Sequence, residues 1–323
     1  MFSSLFFLII GSLGLYFGSE WLINGAKDLA KALKVSDLVI GLTIVSIGTS
    51  FPELVVGLIS AFQGYTDFVI GNVLGSNIAN IGLAIGLPAL IFKIEFDFKN
   101  ATAPFLYNLL ACVMLYFILL DNEIVLYEAQ ALLMVFLIYI IASFMRPNIT
   151  SCDGELENKI ISPLYISVLK IITGSVILYA GSELFVSNGA VPLVETFGFN
   201  EKSIGMTVVA IGTSLPELFV TIMALSKKEV GISLGNIIGS NIFNILFVLS
   251  TIALVSPIET SGAVFELFLG VGFLLSLMIF IYFQRGLNKA SASLLLIAYM
   301  IFIYIQFYGC LLYTSDAADE ERG

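Results

Sequence analysis

Charge is what this sequence has least of. Only 12% of its 323 residues are Asp, Glu, Lys or Arg, against about 25% in an ordinary soluble domain. So few charges cannot coat a water-facing surface. Hydrophobic side chains make up 59% of the chain, and the mean hydropathy is +1.02. A soluble enzyme, a nucleic-acid binder and a disordered scaffold are excluded, and the chain reads as an integral membrane protein. Histidine is absent altogether, which removes a His-ligated metal, a Ser-His-Asp triad and a histidine proton relay. The three cysteines, Cys112, Cys152 and Cys310, are isolated and odd in number, so neither a disulfide framework nor a zinc spacing is present. No enzymatic activity and no cofactor is expected.

What the chain does have is apolar runs. A bilayer core takes roughly 20 apolar residues per helix. Ten runs qualify, at about 4–25, 36–62, 68–92, 101–120, 124–145, 163–189, 200–226, 231–255, 263–283 and 291–313. They are too long for strands and show no period-2 alternation. The first run has no basic residue before it and ends in GSEWLINGA, which recurs near 181–190, so it reads as a permanent span rather than a signal peptide. Twelve of the fourteen Lys and Arg residues fall on one side of this pattern: Lys27, Lys31, Lys34, Lys93, Lys99, Arg146, Lys159, Lys170, Lys227, Lys228, Arg285 and Lys289, against Lys202 and Arg322. The positive-inside bias predicts a cell-membrane protein with both termini outside. The connector 146–162 carries Asp153, Glu155 and Glu157 without the ligand spacing of a calcium loop, and reads as a solvated link. Residues 314–323 differ so abruptly in composition that they are set apart as a tail foreign to the pattern.

An internal repeat organises the rest. Residues 37–80 and 201–244 align without a gap at an offset of 164, with 19 of 44 positions identical. GTSFPEL (48–54) matches GTSLPEL (212–218), and GNVLGSNIAN (71–80) matches GNIIGSNIFN (235–244). Each half, 1–145 and 163–313, holds five spans. Five is odd, so the second half enters from the opposite side. The expected fold is therefore all-α, ten transmembrane helices in two inverted five-helix repeats, with a site at mid-membrane between them.

The best-matched residues are polar. Pro52 and Pro216 lack the N–H that would bond the carbonyls of Gly48 and Gly212, so spans 2 and 7 should break there and leave carbonyls near 46–48 and 210–212 open to cations. Glu53 and Glu217 follow the prolines directly. An ionised carboxylate at that depth costs at least about 2.5 kcal/mol, and spans 2, 3, 7 and 8 contain no Lys or Arg to pair with it. Thr49 and Ser50, like Thr213 and Ser214, lie one turn before each glutamate. Asn72, Ser76 and Asn80 form a stripe every four residues in span 3, as Asn236, Ser240 and Asn244 do in span 8. Asn72, Asn77, Asn236 and Asn241 suit interhelical hydrogen bonding as well as ion contact. Gly71, Gly75, Gly235 and Gly239 are expected to let backbones approach. Carboxylate, hydroxyl, amide and carbonyl oxygens suit Ca²⁺ and Na⁺ rather than zinc or copper.

These paired motifs resemble the α-repeats of the cation/Ca²⁺ exchanger superfamily, most closely the compact prokaryotic Na⁺/Ca²⁺ exchangers, over nearly the whole chain. The resemblance implies an antiporter, expected to work as a monomer in the bilayer, that exports Ca²⁺ against Na⁺ by alternating access. It implies that Glu53, Glu217, Thr49 and Thr213 bind Ca²⁺ and Na⁺. It further implies that Ser50, Ser214, Ser76, Ser240, Ser46 and Ala210 line Na⁺ sites, with Asn80 and Asn244 at the centre. Spans 1 and 6 would slide on the core, for which Gly11, Gly14, Gly18, Gly174 and Gly181 are suited. Asn244 departs from relatives that carry aspartate there, which makes K⁺ dependence less expected. A Ca²⁺/H⁺ antiporter and, from another class, a cation channel are the competing readings. The short connector leaves no room for regulatory Ca²⁺-binding domains.

Overall fold

A computed structural model of the protein describes residues 2–145, 163–192, 210–260 and 263–320. These are almost entirely helical. Helix α1 spans Phe2–Leu33. Helices α2 (Asp37–Thr49) and α3 (Phe51–Phe62) meet at a 41° bend, and α4 covers Phe68–Ala89. Helices α5 (Phe98–Ile118) and α6 (Leu126–Phe144) complete the first half. The second half contains α7 (Leu164–Ala190), α8 (Ile211–Ser226), α9 (Val230–Ala253), α10 (Val264–Gln284) and α11 (Lys289–Glu320). Among the described residues eight helices are long and apolar enough to cross a membrane, or nine with α2 and α3 taken as one span. Helix α8, where the seventh run was read, is shorter, and residues 193–209 before it lie outside the described residues. The connector 146–162 lies outside them too.

Burial sorts the helices by role. In their most apolar 18-residue stretches, 94% of the residues of α9 and 78% of those of α4 are buried, against 28% in α6, α7 and α10, so α4 and α9 lie at the centre and those three face outward. Outward faces carry Phe6, Trp21, Leu106, Phe117, Met134, Phe268 and Ile301, an apolar belt that water would not tolerate but lipid does. Helix α1 packs along α7 at very close range: a Cβ on Gly14 would lie 3.0 Å from the Gly181 Cα. Without glycine at both places the two backbones could not touch.

At one end of the bundle Lys170 pairs with Asp28 at 2.9 Å, Lys227 with Glu20 at 3.4 Å, and Lys27 with Glu229. Lys227 also donates to Asn24 Oδ1 at 2.8 Å. Lys27, Lys170 and Lys227, three of the residues assigned to one side, thus lie at one end. Elsewhere two-residue antiparallel strands join loops: β1 (Ile94–Glu95) with β4 (Gly286–Leu287), and β2 (Glu123–Ile124) with β3 (Ile258–Glu259). The apolar runs are not expected to be strands, and these short pairs lie between the helices.

Candidate cation site

The site begins with the helix breaks. Proline fixes φ and offers no N–H, so it sits most readily in the first turn of a helix. The chain stops α2 at Thr49, turns through Ser50 (φ −90°, ψ 11°) and restarts with Pro52 in the first turn of α3. Ser214 (φ −87°, ψ 2°) does the same before Pro216. The restart places Glu53 and Glu217 in the first turns of α3 and of the Leu215–Ser226 segment, where unbonded N–H groups favour a negative charge. Sequence reasoning had looked only to the carbonyl side of the break.

That carbonyl side is more engaged than expected. Ser46 O accepts from Ser50 N at 3.0 Å and lies 3.3 Å from Thr49 Oγ1. Gly212 O, freed by Pro216, accepts from Ser182 Oγ of α7 at 2.8 Å. Ser182 aligns with Gly18 in the first half, so the repeat offered no signal for this cap. Ala210 opens its helix, and its side chain lies outside the described residues.

The polar residues converge across the two halves. Ser46, Thr49, Ser50, Glu53, Ser76, Asn80, Ser214, Glu217, Ser240 and Asn244 are at most 1% exposed, and Thr213 is 6% exposed. Thr49 Oγ1 lies 3.3 Å from Ser240 Oγ, and the equivalent pair Ser76 Oγ and Thr213 Oγ1 is 3.4 Å apart. Thr49 also donates to Asn236 Oδ1 at 3.0 Å. Asn80 Nδ2 donates to Asn241 Oδ1 at 3.0 Å, and Asn244 Nδ2 to Asn77 Oδ1 at 3.1 Å. Asn77 and Asn241 exchange a second pair, each amide donating to the other's backbone carbonyl at 3.3 and 3.1 Å. For Asn77 and Asn241 interhelical bonding is therefore the role seen. Their oxygens hold the NH₂ ends of Asn80 and Asn244, so both Oδ1 atoms stay buried and unbonded. Directly after each of these central asparagines the helix widens into a π turn, Asn80–Ile85 and Asn244–Val248, a distortion frequent at functional sites and not read from the sequence.

The two carboxylates are not equivalent. Glu217 Oε1 accepts from Ser50 Oγ at 3.0 Å and Ser240 Oγ at 3.4 Å. Neither oxygen of Glu53 meets a donor from another residue, and Glu217 Oε2 and Ser214 Oγ are also unbonded. No Lys or Arg among the described residues pairs with either acid. These residues contribute six buried oxygens without a protein donor: both of Glu53, Glu217 Oε2, Ser214 Oγ, and the Oδ1 atoms of Asn80 and Asn244. Hard cations such as Ca²⁺ take 6–8 oxygen ligands.

Of the slim-helix glycines, two behave as expected. A Cβ on Gly239 would lie 2.5 Å from Leu42 O, and one on Gly235 2.6 Å from Leu38 O, so α2 rides directly on α9. A Cβ on Gly71 or Gly75 meets nothing within 4 Å among the described residues. The repeat explains the difference, because the mates of Leu38 and Leu42 are Lys202 and Met206, which lie outside those residues.

This arrangement has relatives. The family model described as sodium/calcium exchanger protein matches residues 3–145 and 166–308. The chain belongs to that family. It is 33% identical over 314 residues to the putative antiporter CaxA of Alkalimonas amylolytica, covering 93% of this chain and 98% of that one. It is 29% identical over 345 residues to the sodium/calcium exchanger MaX1 of Methanosarcina acetivorans, covering 93% and 97%. Among solved structures, the sodium-calcium exchanger NCX_Mj soaked with Na⁺ and Sr²⁺ superposes with a TM-score of 0.80 at 31% identity, over 94% of this chain and 98% of that one. As a member of the exchanger family, this protein is a multi-pass membrane transporter, and its polar centre is the place to seek its cargo.

Proposed function

We propose that this exchanger is a secondary active antiporter that carries Na⁺ one way and Ca²⁺ the other by alternating access, extruding Ca²⁺ from the cell. The observation that carries the reading is the pair Glu53 and Glu217: fully buried, unpaired by any basic group of the described residues, and surrounded by unbonded oxygens. Two carboxylates balance one Ca²⁺ or two Na⁺. In this assignment Glu53, Glu217, Thr49 and Thr213 hold Ca²⁺ and, in turn, Na⁺. Ser50, Ser76, Ser214, Ser240 and the carbonyls of Ser46 and Ala210 complete Na⁺ sites, with Asn80 and Asn244 at the centre. A pocket emptied of cations keeps two like charges in an apolar surround and resists crossing, whereas a filled one does not.

The ten-span, inverted arrangement belongs to the same proposal, and the small strands support it. Strands β1 and β2 lie at opposite ends of α5. At the offset of 164, β1 (Ile94–Glu95) is the repeat mate of β3 (Ile258–Glu259). Yet β3 pairs with β2, not with β1's partner. Repeat mates therefore sit at opposite ends of the bundle, as inverted halves require. The gathering of Lys27, Lys170 and Lys227 at one end supports a cell-membrane orientation with that end inside and both termini outside. We assign the working unit as the monomer, since each chain holds both halves of the site.

Reconstituted vesicles test this directly, with Na⁺, K⁺, Li⁺ and H⁺ gradients imposed one at a time. Na⁺ alone should drive Ca²⁺ flux. E53Q and E217Q should each abolish it, and should also remove the Ca²⁺-dependent thermal stabilisation, worth about 2.7 kcal/mol at a hundredfold excess over Kd. Normal flux in both variants removes the carboxylates from the mechanism. Full flux on a pH gradient without Na⁺ replaces Na⁺ by H⁺ as the coupling ion. Single-channel currents needing no counter-ion would make the protein a channel.

A further inference from the structure

Three fully buried polar groups adjoin the Glu217 half without belonging to the proposed ion ligands. Thr221 Oγ1, Ser233 Oγ and Asn236 Nδ2 meet no hydrogen-bond partner among the described residues, and all three residues are 0% exposed. An unmade bond to a buried polar group costs about 1–3 kcal/mol, so three such groups on two consecutive helices call for a physical reason. Their spacing offers one. Thr221 follows Glu217 by one turn of α8. Asn236 and Ser233 precede Ser240 by about one and two turns on the same side of α9. Helix α8 ends at Ser226 and α9 starts at Val230. Both steps therefore run from the glutamate toward one end of the bundle, the end where Lys227 meets Glu20 and Lys27 meets Glu229. Ser233 lies about 10 Å along α9 from Ser240 at 1.5 Å per residue.

Two of the three have no polar counterpart in the first half. At the offset of 164 the mates of Thr221 and Ser233 are Gly57 and Val69. A Cβ on Gly57 would stand 3.8 Å from Val69 Cγ1 and would collide with Ile252 Cδ1. Carbon fills the place between α3 and α4 that two hydroxyls occupy between α8 and α9. Asn72, the mate of Asn236, is likewise buried with both amide atoms unbonded, but the next two positions toward the opposite end of the bundle, Val69 and Gly57, carry no polar side chain.

We propose that Thr221, Ser233 and Asn236 form a hydrated passage by which cations move between the Glu217 cluster and the membrane face at the 227–229 turn, while Val69 and Ile252 seal the corresponding place in the first half. Neutral hydroxyl and amide groups suit a passage. They hold water and replace part of a cation's hydration shell without the charge that would trap it. The inference deepens the antiport reading and rests on it.

Cysteine labelling in the full chain tests it. In a C112A/C152A/C310A background, T221C, S233C and V69C are reconstituted and exposed to a positively charged, membrane-impermeant methanethiosulfonate from each side in turn. T221C and S233C should react from the face carrying the 227–229 turn, more slowly in Ca²⁺, and labelling should stop Na⁺-driven Ca²⁺ flux. V69C should stay unlabelled. T221V and S233A, which remove the hydroxyls with little change of shape, should slow transport but keep the Ca²⁺-dependent thermal shift of the parent. The passage is overturned if T221C and S233C stay unlabelled from both faces while flux persists, if V69C reacts as readily as they do, or if T221V and S233A transport at the parental rate. Absence of Na⁺-driven flux in the cysteine-free parent would overturn the antiport reading instead.

Discussion

A single methyl group at Gly239 should loosen the site without touching any proposed ligand. A Cβ there would lie 2.5 Å from Leu42 O and 2.8 Å from the Leu42 carbonyl carbon and Cα. All three atoms are backbone and cannot rotate away. Ordinary contact begins near 3.4 Å, so α2 and α9 must part by about 0.9 Å (3.4 − 2.5). The same helix pair carries the bond from Thr49 Oγ1 to Asn236 Oδ1 (3.0 Å) and the contact of Thr49 with Ser240 (3.3 Å). Stretched by that amount, both leave hydrogen-bonding range. Overpacking of this kind costs about 1–3 kcal/mol, against which the higher helix propensity of alanine returns about 0.5–1 kcal/mol. G239A should therefore melt at a lower temperature in detergent and show a weaker Ca²⁺-dependent rise in melting temperature. G272A is the control: Gly272 is exposed and its added Cβ meets nothing within 4 Å, so that variant should match or exceed the parent. G239A melting like the parent with an undiminished Ca²⁺ response would refute the close α2–α9 contact as a support of the site.

Two further variants probe the centre. T49V removes the donor to Asn236 Oδ1 and leaves that buried amide without any bond, so stability without cations should fall by about 1–3 kcal/mol in thermal melts, with reduced Ca²⁺ flux. N244D replaces the Nδ2 that bonds Asn77 Oδ1 at 3.1 Å by an oxygen and adds a third buried negative charge. It should destabilise the cation-free protein by more than the about 1–3 kcal/mol of one unmade bond, and Ca²⁺ titration should recover more stability than in the parent. Identical melting with and without Ca²⁺ would refute the placement of residue 244 at the cation site.

Most of the site could be read from the repeat. Proline two residues after a serine, with glutamate next, announces a broken helix bearing a charge, and Ser50, Glu53, Ser214 and Glu217 are found where that logic puts them. Spacing along one helix, however, says nothing about the helix opposite. The contacts of Thr49 with Ser240 and of Ser76 with Thr213, and the exchange between Asn77 and Asn241, arise only when the halves meet. The π turns after Asn80 and Asn244 escape notice for a related reason, since one extra residue in a turn is decided by packing. Ser182 capping Gly212 was hidden because its mate Gly18 has no hydroxyl to offer. The carbonyls of 46 and 212 are less open than expected for the same local cause: an amide and hydroxyls lie within reach.

Amides rather than acids at both Asn80 and Asn244 limit the charge of the proposed pocket to minus two, reached when Glu53 and Glu217 are both ionised. Carrying one divalent ion, such a pocket is electrically silent, and the membrane voltage does no work on it. Carrying three monovalent ions it bears one net positive charge, and a negative-inside potential of 100 mV favours its inward journey by about 2.3 kcal/mol. The voltage would then bias the monovalent half of each turnover alone.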